Sequence, residues 1–153
     1  MYALRYFRLV SHDQKLYAMG GMLRGGVPQS TIDMFDPSRN AGHGAWGLLK
    51  EVHLQSPLSG FGCVIVGSRI IAIGGVSYAG AFRNVSALNL RTKQWDHVPS
   101  LATPRESFRA TVLNGLVYAI GGYNGLAADK HKRLRTVEVY AVADYNGHTT
   151  LET

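Results

Sequence analysis

Apolar residues in this chain come in short runs, and three of the runs are copies of one another. LYAMGG (16–21), IIAIGG (70–75) and VYAIGG (117–122) each set four or five apolar residues before a glycine pair. Counting back from the first glycine of each pair, a phenylalanine stands 13 residues earlier every time: Phe7, Phe61 and Phe108. The runs that follow these phenylalanines, FRLV, FGCVIV and FRATVL, have strand character. Turn formers come next: SHDQ, GS and NG. Strand, tight turn and second strand make a hairpin, and Asn114-Gly115 is a strong two-residue turn signal.

Beyond each glycine pair, after a loop of variable length, lies a third apolar run: TIDMF (31–35), NVSALNL (84–90) and TVEVYAV (136–142). A fourth run carries tryptophan in the first two copies, AWGLL (45–49) and QWDHV (94–98). All are four to seven residues long and none has the 3.6-residue period of a long helix. The pattern predicts an all-β chain of four-stranded antiparallel units. The glycine pairs lie 54 and 47 residues apart, and a period near 50 suits the blades of a β-propeller. Gly20, Gly21, Gly74, Gly75, Gly121 and Gly122 are expected where a backbone or a large ring comes close. Trp46 and Trp95, on outer strands, are expected to cover them.

The stretch LNLRTKQWDHVPSLATPRESFRATVLNGLVYAIGGYNG (88–125) resembles the kelch repeat, with its Gly-Gly, spaced Tyr and Trp, and Pro-Arg ahead of the next blade. The likeness is strong across 61–142 and weaker across 5–52. It implies a partial kelch-type β-propeller of about three blades, the third incomplete. The expected organisation is a single kelch-repeat region over 1–153, with repeats at about 5–52, 61–101 and 108–143. Gly60 and Leu58 depart from the family pattern, which has a polar residue and an arginine there. The tail ADYNGHTTLET (143–153) has no tryptophan and no evident fourth strand. Three blades in an open arc leave two end faces uncovered, which suggests a fragment, a short isoform, or self-association that closes the ring.

Composition adds to this picture. The chain is 46% hydrophobic and 17% charged, enough apolar residues for a core. Its 18 glycines in 153 residues fit many turns. The net charge of +6 favours acidic partners. One cysteine, Cys63, excludes an internal disulfide. No apolar run approaches the ~18–20 residues of a membrane-spanning helix, so no membrane association is expected. The expected location is cytoplasmic, with the nucleus also open.

In an up-down blade the loops after the glycine pairs share a rim with the linkers between blades. That rim would hold 22–30, 76–83, 123–135, and the linkers 54–60 and 101–107. It carries Arg24, Arg83, Arg105, Lys130, Lys132, Arg133 and Arg135 against Asp129 and Glu106. Tyrosine and arginine are the types that carry interface energy. The kelch resemblance implies a partner peptide on this rim. Arg105, Ser107, Tyr123 and Asn124 match family positions, Tyr78 matches more loosely, and Arg83 and Arg24 join them as candidate partner contacts. The bland alternative for Arg105 is an internal pairing that holds the linker.

The expected function is therefore a protein-interaction module, resembling the substrate-recognition propellers of cullin-RING ubiquitin ligase adaptors and binding an acidic peptide. The alternatives are an actin- or cytoskeleton-binding kelch protein and a truncated fragment without independent function. No enzyme is expected, and no cofactor or metal. GVSYA (75–79) nearly matches a nucleophile elbow, but a strand, not a helix, is expected after Ser77. The six histidines show no metal spacing. The basic run KHKRLR (130–135) is a weak signal for nucleic acid.

Overall fold

The computed structural model describes residues 3–125 and 132–141. All its regular elements are β-strands apart from one short 3-10 turn, Asn40–Gly42. Two compact units, Met1–Ser59 and Gly60–Thr153, are taken in turn.

The first unit holds one sheet of strands β1 (Arg8–His12), β2 (Lys15–Met19), β3 (Ile32–Asp36) and β4 (Ala45–Leu48), in that order and all antiparallel. Asp13 and Gln14, the residues between β1 and β2, have φ of +45° and +58°. Positive φ at both central positions marks the turn whose twist matches a hairpin. Asp36 ends β3. One of its carboxylate oxygens accepts from the Ser38 hydroxyl at 2.6 Å and from the Ser38 N–H at 3.0 Å. Those two bonds, with Lys15 and Arg39 nearby, hold its pKa below the usual carboxylate value.

The second unit holds two sheets. In one, β5 (Gly62–Val66), β6 (Arg69–Ile73), β9 (Val85–Asn89) and β10 (Trp95–Val98) run in the order β10-β9-β6-β5. A small hairpin, β7 (Val76–Ser77) with β8 (Gly80–Ala81), fills the loop after the glycine pair. In the other, β11 (Arg109–Leu113), β12 (Leu116–Ile120) and β15 (Val137–Ala141) form three strands. The pair β13 (Tyr123–Asn124) and β14 (Lys132–Arg133) lies in its loop. Asn114 and Gly115 both have positive φ, so the turn read from the sequence has the expected form. The tail after 141, read above as lacking a fourth strand, lies outside the described residues, as do Asp129 and Lys130.

The two sheets of the second unit bury their facing sides together. Val64, Ile71, Ile73 and Val85 from one meet Val117, Ala119 and Tyr140 from the other, with Phe108 and Leu101 between. Alternation along each strand sends these residues to one face. Burying one isoleucine of this kind stabilises the fold by about 1.5–3 kcal/mol.

The glycine pairs admit a close backbone and a ring-bearing residue, as expected, but the tryptophans are not the residues that cover them. A Cβ on Gly21 would lie 2.8 Å from the Phe7 Cβ, one on Gly74 2.6 Å from the Arg105 carbonyl, and one on Gly122 2.6 Å from the Glu106 carbonyl and the Phe108 Cβ. The close approach is by linker backbone and phenylalanine, not by tryptophan. Trp46 instead tilts against Phe35, ring centroids 5.4 Å apart. Trp95 stands opposite Leu88 on β9.

Candidate functional site

Each glycine pair opens a surface loop, and its hydrogen bonds explain how. Both glycines of every pair have positive φ, between +55° and +99°, a region glycine enters without steric penalty. The first N–H donates to the carbonyl ahead of the third strand: Gly20 to Thr31, Gly74 to Asn84, Gly121 to Thr136. The second donates to the linker that follows the sheet: Gly21 to the Leu58 carbonyl at 2.8 Å and Gly75 to that of Arg105 at 2.7 Å. The residues between these anchors are pushed outward.

In the first unit, the anchored loop is 22–30. Met22 exchanges both backbone hydrogen bonds with Arg5, at 3.0 and 2.8 Å. Beside this bridge is a depression of about 290 Å³ lined by Ala3, Leu4, Arg5, Met22, Arg24 and Gly25. Arg24 is exposed, as expected of a rim residue. Neither Arg5 nor Arg24 has a carboxylate partner among the described residues. An arginine fork is suited to binding a carboxylate by two parallel bonds. Arg5 is not among the rim candidates read from the sequence. Its place two residues before Phe7, where Glu106 stands before Phe108, is the signal that would have found it.

In the second unit, the loops approach one another at Gly125. A Cβ there would lie 3.1 Å from the Ala81 Cβ and 3.1 Å from a Glu106 carboxylate oxygen. Glu106 and Tyr123 exchange backbone bonds at 2.9 Å each. Tyr123 and Asn124 are thus brought beside the β7–β8 hairpin, at whose tip Tyr78 is 73% exposed. The Asn124 side-chain oxygen is shielded from solvent with no hydrogen-bond partner among the described residues. Ser107 is exposed on a positive φ, its N–H donating to the Gly60 carbonyl at 2.7 Å. The Arg83 side chain is exposed, while its carbonyl accepts from Leu101 N–H.

Arg105 is elsewhere. Its side chain is fully buried, and its guanidinium makes four hydrogen bonds and an ion pair inside the fold. Nε donates to Glu138 Oε1 at 2.9 Å, and one terminal nitrogen to the Gly121 and Thr136 carbonyls at 2.9 and 3.0 Å. The other donates to Thr136 Oγ1 at 2.6 Å and pairs with Glu138 Oε1 at 2.9 Å. Expected as a partner contact, Arg105 is instead a clasp between the linker and β15. Glu138 also accepts from the Ala102 and Thr103 N–H groups. Burial and the adjacent Glu138 carboxylate push the Tyr140 phenol well above its usual pKa. Glu138 was overlooked in the sequence, although a carboxylate on the buried face of TVEVYAV demands a partner.

Ser77 lies in β7 and pairs with Gly80 of the next strand, with no helix after it. Among the described residues, no three His, Cys, Asp or Glu side chains gather as a metal would require. No described helix is long and apolar enough to cross a membrane.

Comparison with known proteins sets this geometry in a family. The Kelch motif matches residues 3–41, 57–102 and 104–141. The chain is 33% identical over 116 residues to Kelch-like ECH-associated protein 1A of Danio rerio, covering 71% of this chain and 18% of that protein. It is 34% identical over 76 residues to the Influenza virus NS1A-binding protein of Homo sapiens, covering 50% of this chain and 12% of the relative. It is 25% identical over 115 residues to Kelch-like protein 40 of Xenopus tropicalis, 75% of this chain and 18% of the relative. The chain thus spans under a fifth of the length of these relatives. A solved structure, titled "Structure of YjhT", superposes with a TM-score of 0.79 at 17% identity, over 99% of this chain and 46% of that one. The chain belongs to the kelch-motif family, and its fold is a partial kelch β-propeller.

Proposed function

We propose that this chain is a protein-interaction module that takes an acidic peptide segment on the loops following its glycine pairs. The observation that carries the reading is the depression beside Met22, where Arg5 and Arg24 stand without a carboxylate partner among the described residues. The net charge of +6 would attract such a segment at long range. In the second unit, Tyr78, Ser107, Tyr123, Asn124 and Arg83 are the proposed further contacts. Arg105 is left out, because its donors are spent inside the fold. A binding role agrees with the names of two relatives, one an NS1A-binding and one an ECH-associated protein. The setting we propose is the substrate-recognition part of a cullin-RING ubiquitin ligase adaptor, in the cytoplasm or nucleus. The role is binding, not catalysis.

A fluorescein-labelled glutamate-rich peptide, titrated into the chain by anisotropy, tests the reading. Binding should weaken about tenfold in the Arg24→Glu variant, about the 1.4 kcal/mol of one lost charge-assisted contact, and more in Arg5→Glu/Arg24→Glu. It should also weaken with salt. A lysine-rich peptide that binds equally well, or affinity unchanged by both substitutions, would overturn it.

A further inference from the structure

The loop 22–30 folds into a turn around one arginine. Gly26 N–H donates to the Leu23 carbonyl at 3.1 Å, and Leu23 N–H to the Val27 carbonyl at 2.9 Å. Arg24 and Gly25 are the two central residues. Gly25 has φ of +95°, as the third residue of a type II turn must, and glycine takes it without strain. The base of the turn is fixed, because Met22 bridges both Arg5 and Pro28. The apex reads Arg24-Gly25-Gly26, and of the chain's eleven arginines only Arg24 is followed by a glycine.

This arginine is also the accessible one. Arg24 is exposed, and a Cβ on Gly25 or Gly26 would meet nothing within 4 Å. Among the described residues it makes no ion pair and no ring contact. Its neighbour in the depression is tethered: an Arg5 terminal nitrogen donates to the Met22 sulfur at 3.8 Å, and its guanidinium lies 5.6 Å from the centre of the Tyr6 ring. Arg105 is wholly buried.

An enzyme that modifies a guanidinium takes the side chain into a narrow channel and brings its own walls against the adjoining backbone. Side chains beside the arginine obstruct that approach, and glycines allow it. A loop-tip side chain without partners gives up no contact on entering the channel.

We propose that Arg24 is a site of N-methylation, modified by a transferase that uses a sulfonium methyl donor. A terminal guanidinium nitrogen of Arg24 attacks the methyl carbon. An N–C bond forms, the S–C bond breaks with its electron pair going to sulfur, and the donor leaves as a thioether. The nitrogen gives up one proton to a base of the transferase, so the guanidinium keeps its single positive charge. The consequence for binding rests on the acidic-peptide reading. A methyl group leaves the charge in place but removes one N–H of the fork that grips a carboxylate, so the modification would loosen the peptide at this loop.

The test incubates the 153-residue chain with S-adenosylmethionine and a protein arginine methyltransferase, while a glycine- and arginine-rich peptide in a parallel tube proves the enzyme active. Mass spectrometry should place one or two methyl groups on Arg24 and leave the other ten arginines at background. The Arg24→Lys variant should stay unmodified. An unmodified Arg24, or equal methylation of several arginines, would overturn the proposal. Affinity is a separate readout. The methylated chain should bind the labelled glutamate-rich peptide roughly threefold more weakly, the effect of one lost hydrogen bond. Methylation at Arg24 with affinity unchanged would overturn the peptide reading at this residue and leave the modification standing.

Discussion

Five acceptor contacts surround the one guanidinium of Arg105. A buried charge is tolerated when it is paired and its remaining donors are bonded. Both conditions hold here, with Glu138 as the counter-charge and the Gly121 and Thr136 carbonyls as further acceptors. Removing one partner strands the other. Glu138→Gln is therefore expected to lower the unfolding free energy by about 3–5 kcal/mol, read from urea midpoints. A loss below about 1 kcal/mol, the usual worth of an exposed pair, would contradict the buried assignment. Tyr140 adds a pH dependence. Its phenol holds its proton to higher pH in the folded state than in the unfolded chain, where the usual value is 10.0. The stabilisation is whole below pH 10 and is lost as pH rises toward the folded value. Tyr140→Phe should flatten the fall in stability between pH 9.5 and 11; an unchanged slope would show the phenol to be solvated. From the sequence, Arg105 could be recognised as special but not assigned. Its spacing is the same whether it faces a ligand or the protein, and only the place of Glu138 across 33 residues of chain decides it.

At the level of the strand and its turn, the sequence is a good guide because local chemistry rules there. Asn114-Gly115 takes the positive φ values that its residue types favour, and the three glycine pairs share one backbone form. The reason for the pairs was legible only in part. That something comes close followed from glycine itself; that the visitor is linker backbone and phenylalanine, not tryptophan, depends on contacts far apart in sequence. The distinction can be tested. Gly25 and Gly122 have nearly equal φ, +95° and +92°, but a Cβ on Gly25 meets nothing within 4 Å whereas one on Gly122 lands 2.6 Å from Glu106 and Phe108. Backbone strain of this kind costs on the order of 1–3 kcal/mol, and both alanine variants should show it. Gly122→Ala should lose more, by thermal melt, because neither the carbonyl nor the phenylalanine backbone can yield cheaply. Equal losses would mean that the linker gives way. The two-residue strands β7, β8, β13 and β14 were not foreseen, since runs this short carry no periodicity.

For the whole molecule, the repeat was the most legible feature, and it led to the all-β fold, the kelch family and the placing of the loops after the glycine pairs. The working residues were less legible, because a rim position selects for exposure and charge without saying which arginine is free. Arg24 and Arg83 remain at the surface, Arg105 is interior, and Arg5 joins the group. The most direct test compares two of these arginines in one assay. Arg24→Glu and Arg105→Gln would each be measured for melting temperature and for affinity toward the labelled glutamate-rich peptide, at a temperature where both are folded. With Arg24 as a ligand contact and Arg105 as an internal clasp, Arg24→Glu should lose about tenfold in affinity and keep its melt. Arg105→Gln should melt well below the wild type and still bind. The opposite pattern, with affinity lost in Arg105→Gln and kept in Arg24→Glu, would return the buried arginine to the binding face and contradict the assignment.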